Sequence, residues 1–137
     1  QDGVIEHLSE IAVAPNGDVY GLSDPGGNVR RYSASGEVLA EWCSVDDSSS
    51  ERAFREDLTV SRDNTVCVLE SVEDNTFRVR FFSDNGAERG ELTFDAWSKK
   101  RSIPAGSLAA GSDKTLYVVD TAGCRIQYFR PVPAGDN

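Results

Sequence analysis

Three stretches of this chain repeat one another, and that recurrence restricts the fold more than any single motif does. Residues 11–24 (IAVAPNGDVYGLSD), 58–71 (LTVSRDNTVCVLES) and 108–121 (LAAGSDKTLYVVDT) superimpose at offsets of 47 and 50 residues. Each begins with a strand-like alternation, at Ile11 and Val13, Leu58 and Val60, or Leu108 and Ala110. Each then turns through polar residues, Pro15-Asn16-Gly17, Arg62-Asp63-Asn64 or Ser112-Asp113-Lys114. A second strand starts at Val19, Val66 or Leu116. The Asn-Gly pair is a strong hairpin signal, because both residues tolerate positive φ.

A third strand follows in every copy, at residues 29–32 (VRRY), 79–82 (VRFF) and 126–129 (IQYF), its apolar positions alternating with Arg or Gln as a half-buried strand requires. The connection before it is three residues longer in the second copy. A fourth strand follows Ser35-Gly36 (residues 37–42) and Asn85-Gly86 (residues 87–94). In the third copy Pro131 and Pro133 oppose a fourth sheet strand. The unit is therefore a four-stranded antiparallel meander, and the chain an all-β array of three such units, at about 8–43, 54–95 and 104–131. One sheet of this kind cannot bury both faces alone, so neighbours must stack on it. That is the logic of a β-propeller blade, and three blades are half of a six-bladed ring.

The residues also carry a family likeness. Residues 116–129 (LYVVDTAGCRIQYF) resemble the core of an NHL repeat: an apolar strand, an Asp-Thr turn, then Arg-Ile-x-x-Phe. Residues 11–20 and 24–32 are similar, whereas the second copy has Glu70-Ser71 in place of Asp-Thr and an expanded turn. The resemblance implies a six-bladed type of propeller with a central channel, used as a non-catalytic platform for binding protein partners or for assembly. Propellers of similar build include calcium-dependent lactonases and other hydrolases, so the alternative is a calcium-dependent enzyme sited at the channel. It further implies a structural role for Asp24 and Asp120, which end second strands and cap the next turn, with Arg125 pairing nearby.

Three blades do not close a ring. Three completions are open: two chains joining as half-rings, further blades of a longer propeller, or a small sandwich instead of a propeller. In the first, residues 3–6 add as the outer strand of the partner's third blade, or else simply lead into the first strand.

Composition narrows the chemistry. The formal charge of −9 repels phosphate backbones and argues against nucleic acid as a partner. Lys99-Lys100-Arg101 is the one basic cluster and reads as a solvated loop. Apolar runs such as residues 116–119 are far too short to span a bilayer. A mature extracellular or periplasmic chain is compatible with the sequence. Three cysteines, Cys43, Cys67 and Cys124, leave at least one unpaired within the chain; Cys67 reads as a core residue, and Cys43 and Cys124 lie at strand edges. With His7 as the sole histidine, neither a Cys/His zinc site nor a Ser-His-Asp triad is expected.

In propellers the channel is lined where the innermost strands begin, here near Glu10, Asp57 and Ser107. Glu10 and Asp57, with Glu56, are the candidate ligands for a hard cation such as calcium, set against a reading as ordinary loop acids. Trp42 and Trp97, with Phe54 and Phe94, are candidates for an aromatic binding edge, set against inter-blade packing. The acidic loop at 46–51 reads as a linker, and Gly26-Gly27 as a turn.

Overall fold

In the computed structural model of the chain, the described residues are 8–23, 27–43, 53–72, 76–95, 106–120 and 125–130. They form eleven strands in three antiparallel sheets. The first blade is β1 (Leu8–Val13), β2 (Val19–Ser23), β3 (Asn28–Tyr32) and β4 (Val38–Cys43). The second is β5 (Ala53–Val60), β6 (Val66–Val72), β7 (Thr76–Phe82) and β8 (Glu88–Asp95). The third has three strands among the described residues: β9 (Gly106–Ala110), β10 (Leu116–Asp120) and β11 (Arg125–Phe129). Neighbours in sequence are neighbours in each sheet, so every blade is a meander. The fourth strand of the repeat unit is not seen in the third blade; residues 131–137 lie outside the described set.

Five hairpin turns share one hydrogen-bond pattern. In the first, Gly17 N donates to Ala14 O at 2.9 Å and Ala14 N to Asp18 O at 2.8 Å. The pattern recurs from Ser33, Ser61, Ser83 and Gly111. The fourth turn residue has positive φ each time: Gly17, Gly36, Asn64, Gly86 and Lys114. Of the Asn16-Gly17 pair only the glycine is left-handed. The turn is thus not the doubly left-handed form that Asn-Gly favours, but a tight turn closed by one left-handed residue. Asn64 tolerates that conformation through its own short polar side chain, and Lys114 adopts it at the same place in the turn.

The innermost strands β1, β5 and β9 lie side by side, whereas β4 and β8 make no backbone contact with one another. The sheets therefore fan outward from a shared inner edge, the arrangement of propeller blades and not of a sandwich. Pleating sends alternate residues of β6 to opposite neighbours. Val66 and Val68 join Ala14, Tyr20, Leu22 and Val29 of the first blade. Cys67 and Leu69 join Leu108, Leu116 and Val118 of the third. Both faces of the middle blade are buried, which is why β6 opens on four consecutive apolar residues, Val66 to Leu69.

Trp42 fills the wedge between the first two blades. Its ring lies 6.3 Å from Tyr20 and 5.9 Å from Phe82, centroid to centroid. A Cβ at Gly86 would come within 2.7 Å of the indole, so this turn needs glycine for contact as well as for its φ of 92°. Arg31 bridges the same two blades: its guanidinium pairs with Asp18 at 2.6 Å and donates to the Asp84 carbonyl at 3.3 Å.

Candidate functional site

The inner edge brings together the carboxylates of Glu10 and Asp57. A bulge at Ser9 in β1 and another at Glu56 in β5 precede them at equivalent places in the two blades. Each residue then projects toward the following blade. Asp57 Oδ2 accepts from Leu108 N at 2.7 Å, and its Oδ1 from Leu58 N at 2.8 Å. Asp57 is thereby a clamp from β5 to β9. Glu10 stands one blade earlier, and it meets Asp57 itself. Burial, then the Asp57 charge, then a hydrogen bond to the Asp57 carboxyl raise the Glu10 pKa. Burial likewise raises that of Glu56, opposed by a 2.8 Å bond from Ser71 Oγ. Ser107, the third equivalent, offers no carboxylate.

Calcium takes six to eight oxygens. Among the described residues no group of three His, Cys, Asp or Glu side chains is arranged to hold a metal. Both Asp57 oxygens already accept backbone N–H groups. The carboxylates of Glu10 and Asp57 alone fall short of the six to eight oxygens of a calcium centre. A raised folded-state pKa means that ionised Glu10 opposes folding once pH passes its ordinary value. Glu10→Gln is therefore expected to raise the melting temperature at pH 7 and to leave it unchanged near pH 3, about a unit below the ordinary glutamate range. A cation site gives the reverse: calcium would raise the melting temperature of the parent chain, and Glu10→Gln would abolish that rise.

Farther along the blades, buried acids meet arginines across the second hairpin. Asp120 is buried and faces Arg125 in the β10–β11 register. Glu70, fully buried, faces Arg78 in the β6–β7 register and accepts both its Nε at 3.0 Å and its Nη2 at 2.7 Å. The second blade thus repeats the acid–arginine pair despite lacking the Asp-Thr sequence. Asp24 and Trp97 lie outside the described residues. Trp42 stands in the wedge, not on an open edge.

The two end faces of the array are different in kind from everything inside it. Ile11 and Leu58 occupy the same repeat position, yet Leu58 is 2% exposed and Ile11 63%. Val29, Val79 and Ile126 share another: the valines are 0% exposed and Ile126 is 68%. Val13 and Val38 extend the first face, and Tyr117 and Tyr128 the second, their rings 6.5 Å apart. The free face of the first blade is the one that inside the array packs on a preceding blade. The free face of the third is the one that packs on a following blade. Large apolar side chains thus stand exposed at positions that are buried within the array.

No family model and no curated protein sequence matches the chain. Solved structures do match it. A protein of unknown function from Bacteroides caccae superimposes with a TM-score of 0.59 over 90% of this chain, at 8% identity. Virginiamycin B lyase from Staphylococcus aureus, a β-propeller, superimposes with a TM-score of 0.53 over 90% of this chain, at 21% identity. The chain folds as β-propeller blades. It spans 45% and 41% of those two proteins, less than half of either. At these identities the likeness is one of fold.

Proposed function

We propose that the chain is an assembly scaffold of NHL-like blades, whose end faces take further blades of the same repeat and so complete a propeller ring. For the isolated chain the partner is a second copy. The observation that carries this is the contrast at equivalent positions: Ile11 and Ile126 are exposed where Leu58 and Val79 are buried by a neighbouring blade. The third blade of one copy would meet the first blade of the other as consecutive blades meet inside the array. Two such head-to-tail junctions close a six-bladed ring with two-fold symmetry. Each apolar side chain fully covered there contributes about 1.5–3 kcal/mol.

Two variants test the head-to-tail arrangement. Ile11→Glu and Ile126→Glu each place a charge in both junctions of a self-pair, and each alone is expected to run as a monomer. Mixed in equal amounts, they form pairs with one junction untouched, so association is expected to return in part. A contact of like faces predicts otherwise, since one variant would still pair and mixing would add nothing. If neither substitution changes the mass in sedimentation, the scaffold reading fails.

A further inference from the structure

The two internal junctions are built on one plan but are not equally filled. In the first, Tyr20, Arg31 and Ala40 form one cross-strand row, and Leu22, Val29 and Trp42 the next. In the second, the corresponding rows are Cys67, Phe81 and Gly90, then Leu69, Val79 and Leu92. Tyr gives way to Cys, Ala to Gly and Trp to Leu, so the wedge between the second and third blades loses the bulk that closes the first. The ring that does reach the third blade is Phe94, two residues farther along β8, with its centroid 4.8 Å from Phe129. The space left beside Leu92 is a groove of about 550 Å³ lined by Phe81, Leu92, Leu116 and Phe129. Nothing lies within 4 Å of where a Cβ on Gly90 would stand. An adjoining recess of about 140 Å³ shares Phe81, Lys114 and Leu116 and reaches Cys67.

The groove is lined by two cations and one acid, Glu91, in a chain of net charge −9. Lys114 lines it with its Nζ 3.5 Å from Asp63 of the adjoining recess, and Arg130 lines it with its guanidinium 5.2 Å from the centre of the Tyr128 ring. Glu91, the acid beside them, turns toward Arg80 at 3.9 Å, on the other face of its sheet. We infer that this groove is a binding site for a small aromatic carboxylate, its ring stacked between Phe81 and Phe129 beside Leu92 and its carboxylate held by Lys114 and Arg130. The volume lies within the range of small-molecule sites, which pair apolar walls with a few oriented polar groups. Tyr128 of the end face also lines the groove, so the site borders the junction proposed above and is open in the isolated chain.

Titration of the intact chain with 2-naphthoate, followed by calorimetry or by ligand-observed NMR, tests it. Saturable binding is expected, with 2-naphthalenemethanol binding at least about tenfold more weakly for want of a charge-assisted contact. Lys114→Ala and Arg130→Ala, both at exposed positions, are each expected to weaken naphthoate by about fivefold to tenfold. Leu92→Trp restores the residue found in the first wedge and is expected to abolish binding; if that variant does not fold, the two charge variants decide. Ile126→Glu, on the end face, is expected to change nothing. Absence of binding overturns the proposal, as does equal binding of the alcohol. So does loss of binding in Ile126→Glu with retention in the Lys114 and Arg130 variants, which would move the ligand to the end face.

Discussion

Replacing Arg78 by Met is expected to remove about 3–5 kcal/mol of folding stability, the range for stripping one partner from a buried ion pair. Glu70 is fully buried, on the face of the second blade that packs against the first. One of its oxygens receives two bonds from Arg78, and the other has no hydrogen-bond partner among the described residues. Without the guanidinium, the carboxylate must stay charged in an apolar junction or take up a proton, and both routes disfavour the folded state. The charge is the cause, so removing it from both sides should restore most of the loss. The double variant Glu70→Met, Arg78→Met is expected to be more stable than Arg78→Met alone in urea denaturation. If the double variant is as unstable as the single one, the pair acts through the shape of the hairpin and not through charge.

Phe77→Ala is expected to cost about 3–5 kcal/mol, the usual range for deleting a buried aromatic ring. Phe77 is fully buried, and its ring centroid lies 5.6 Å from that of Phe94, which in turn contacts Phe129. The row runs from one blade into the next, so the cavity would open at the junction itself. The same urea experiment on Leu39→Ala supplies the contrast. Leu39 is exposed at the bulge between β3 and β4, and its loss should change stability by no more than about 0.5 kcal/mol. Equal effects from the two substitutions would mean that the second junction is not a packed core.

Most of the backbone was legible in the sequence, because the period-two alternation and the turn residues agree in every copy. The second strands begin at Val19, Val66 and Leu116, as the repeat predicts. The turns fall where the repeat places them. Composition at Asn16-Gly17 favours two left-handed residues, but the bulged turn uses one, and only the recurrence of Asn64 and Lys114 at that position shows it. The Glu70–Arg78 pair escaped the family pattern because the acid shifts type and the hairpin is longer, so the motif breaks while the cross-strand register survives. The carboxylates of Glu10 and Asp57 meet at the inner edge, where the channel reading of the sequence sets candidate cation ligands. That reading did not foresee that Leu108 N and Leu58 N occupy Asp57, since backbone donors leave no trace in sequence. The groove beside Leu92 was hidden for a related reason. Leu and Cys read as good core residues in isolation, and the gap shows only when their rows are set against Tyr20 and Trp42.

On the proposed reading, the exposed outer faces of the first and third blades are inter-blade surfaces that take neighbours. Absolute mass by light scattering over a wide range of protein concentration tests it most directly. A species of about twice 14.9 kDa that persists on dilution is the predicted result, since closing a ring through two junctions at once makes the pair resistant to dissociation. A mass of 14.9 kDa at every concentration would contradict it, because faces with Ile11 and Ile126 this exposed would then be stable in water without a partner.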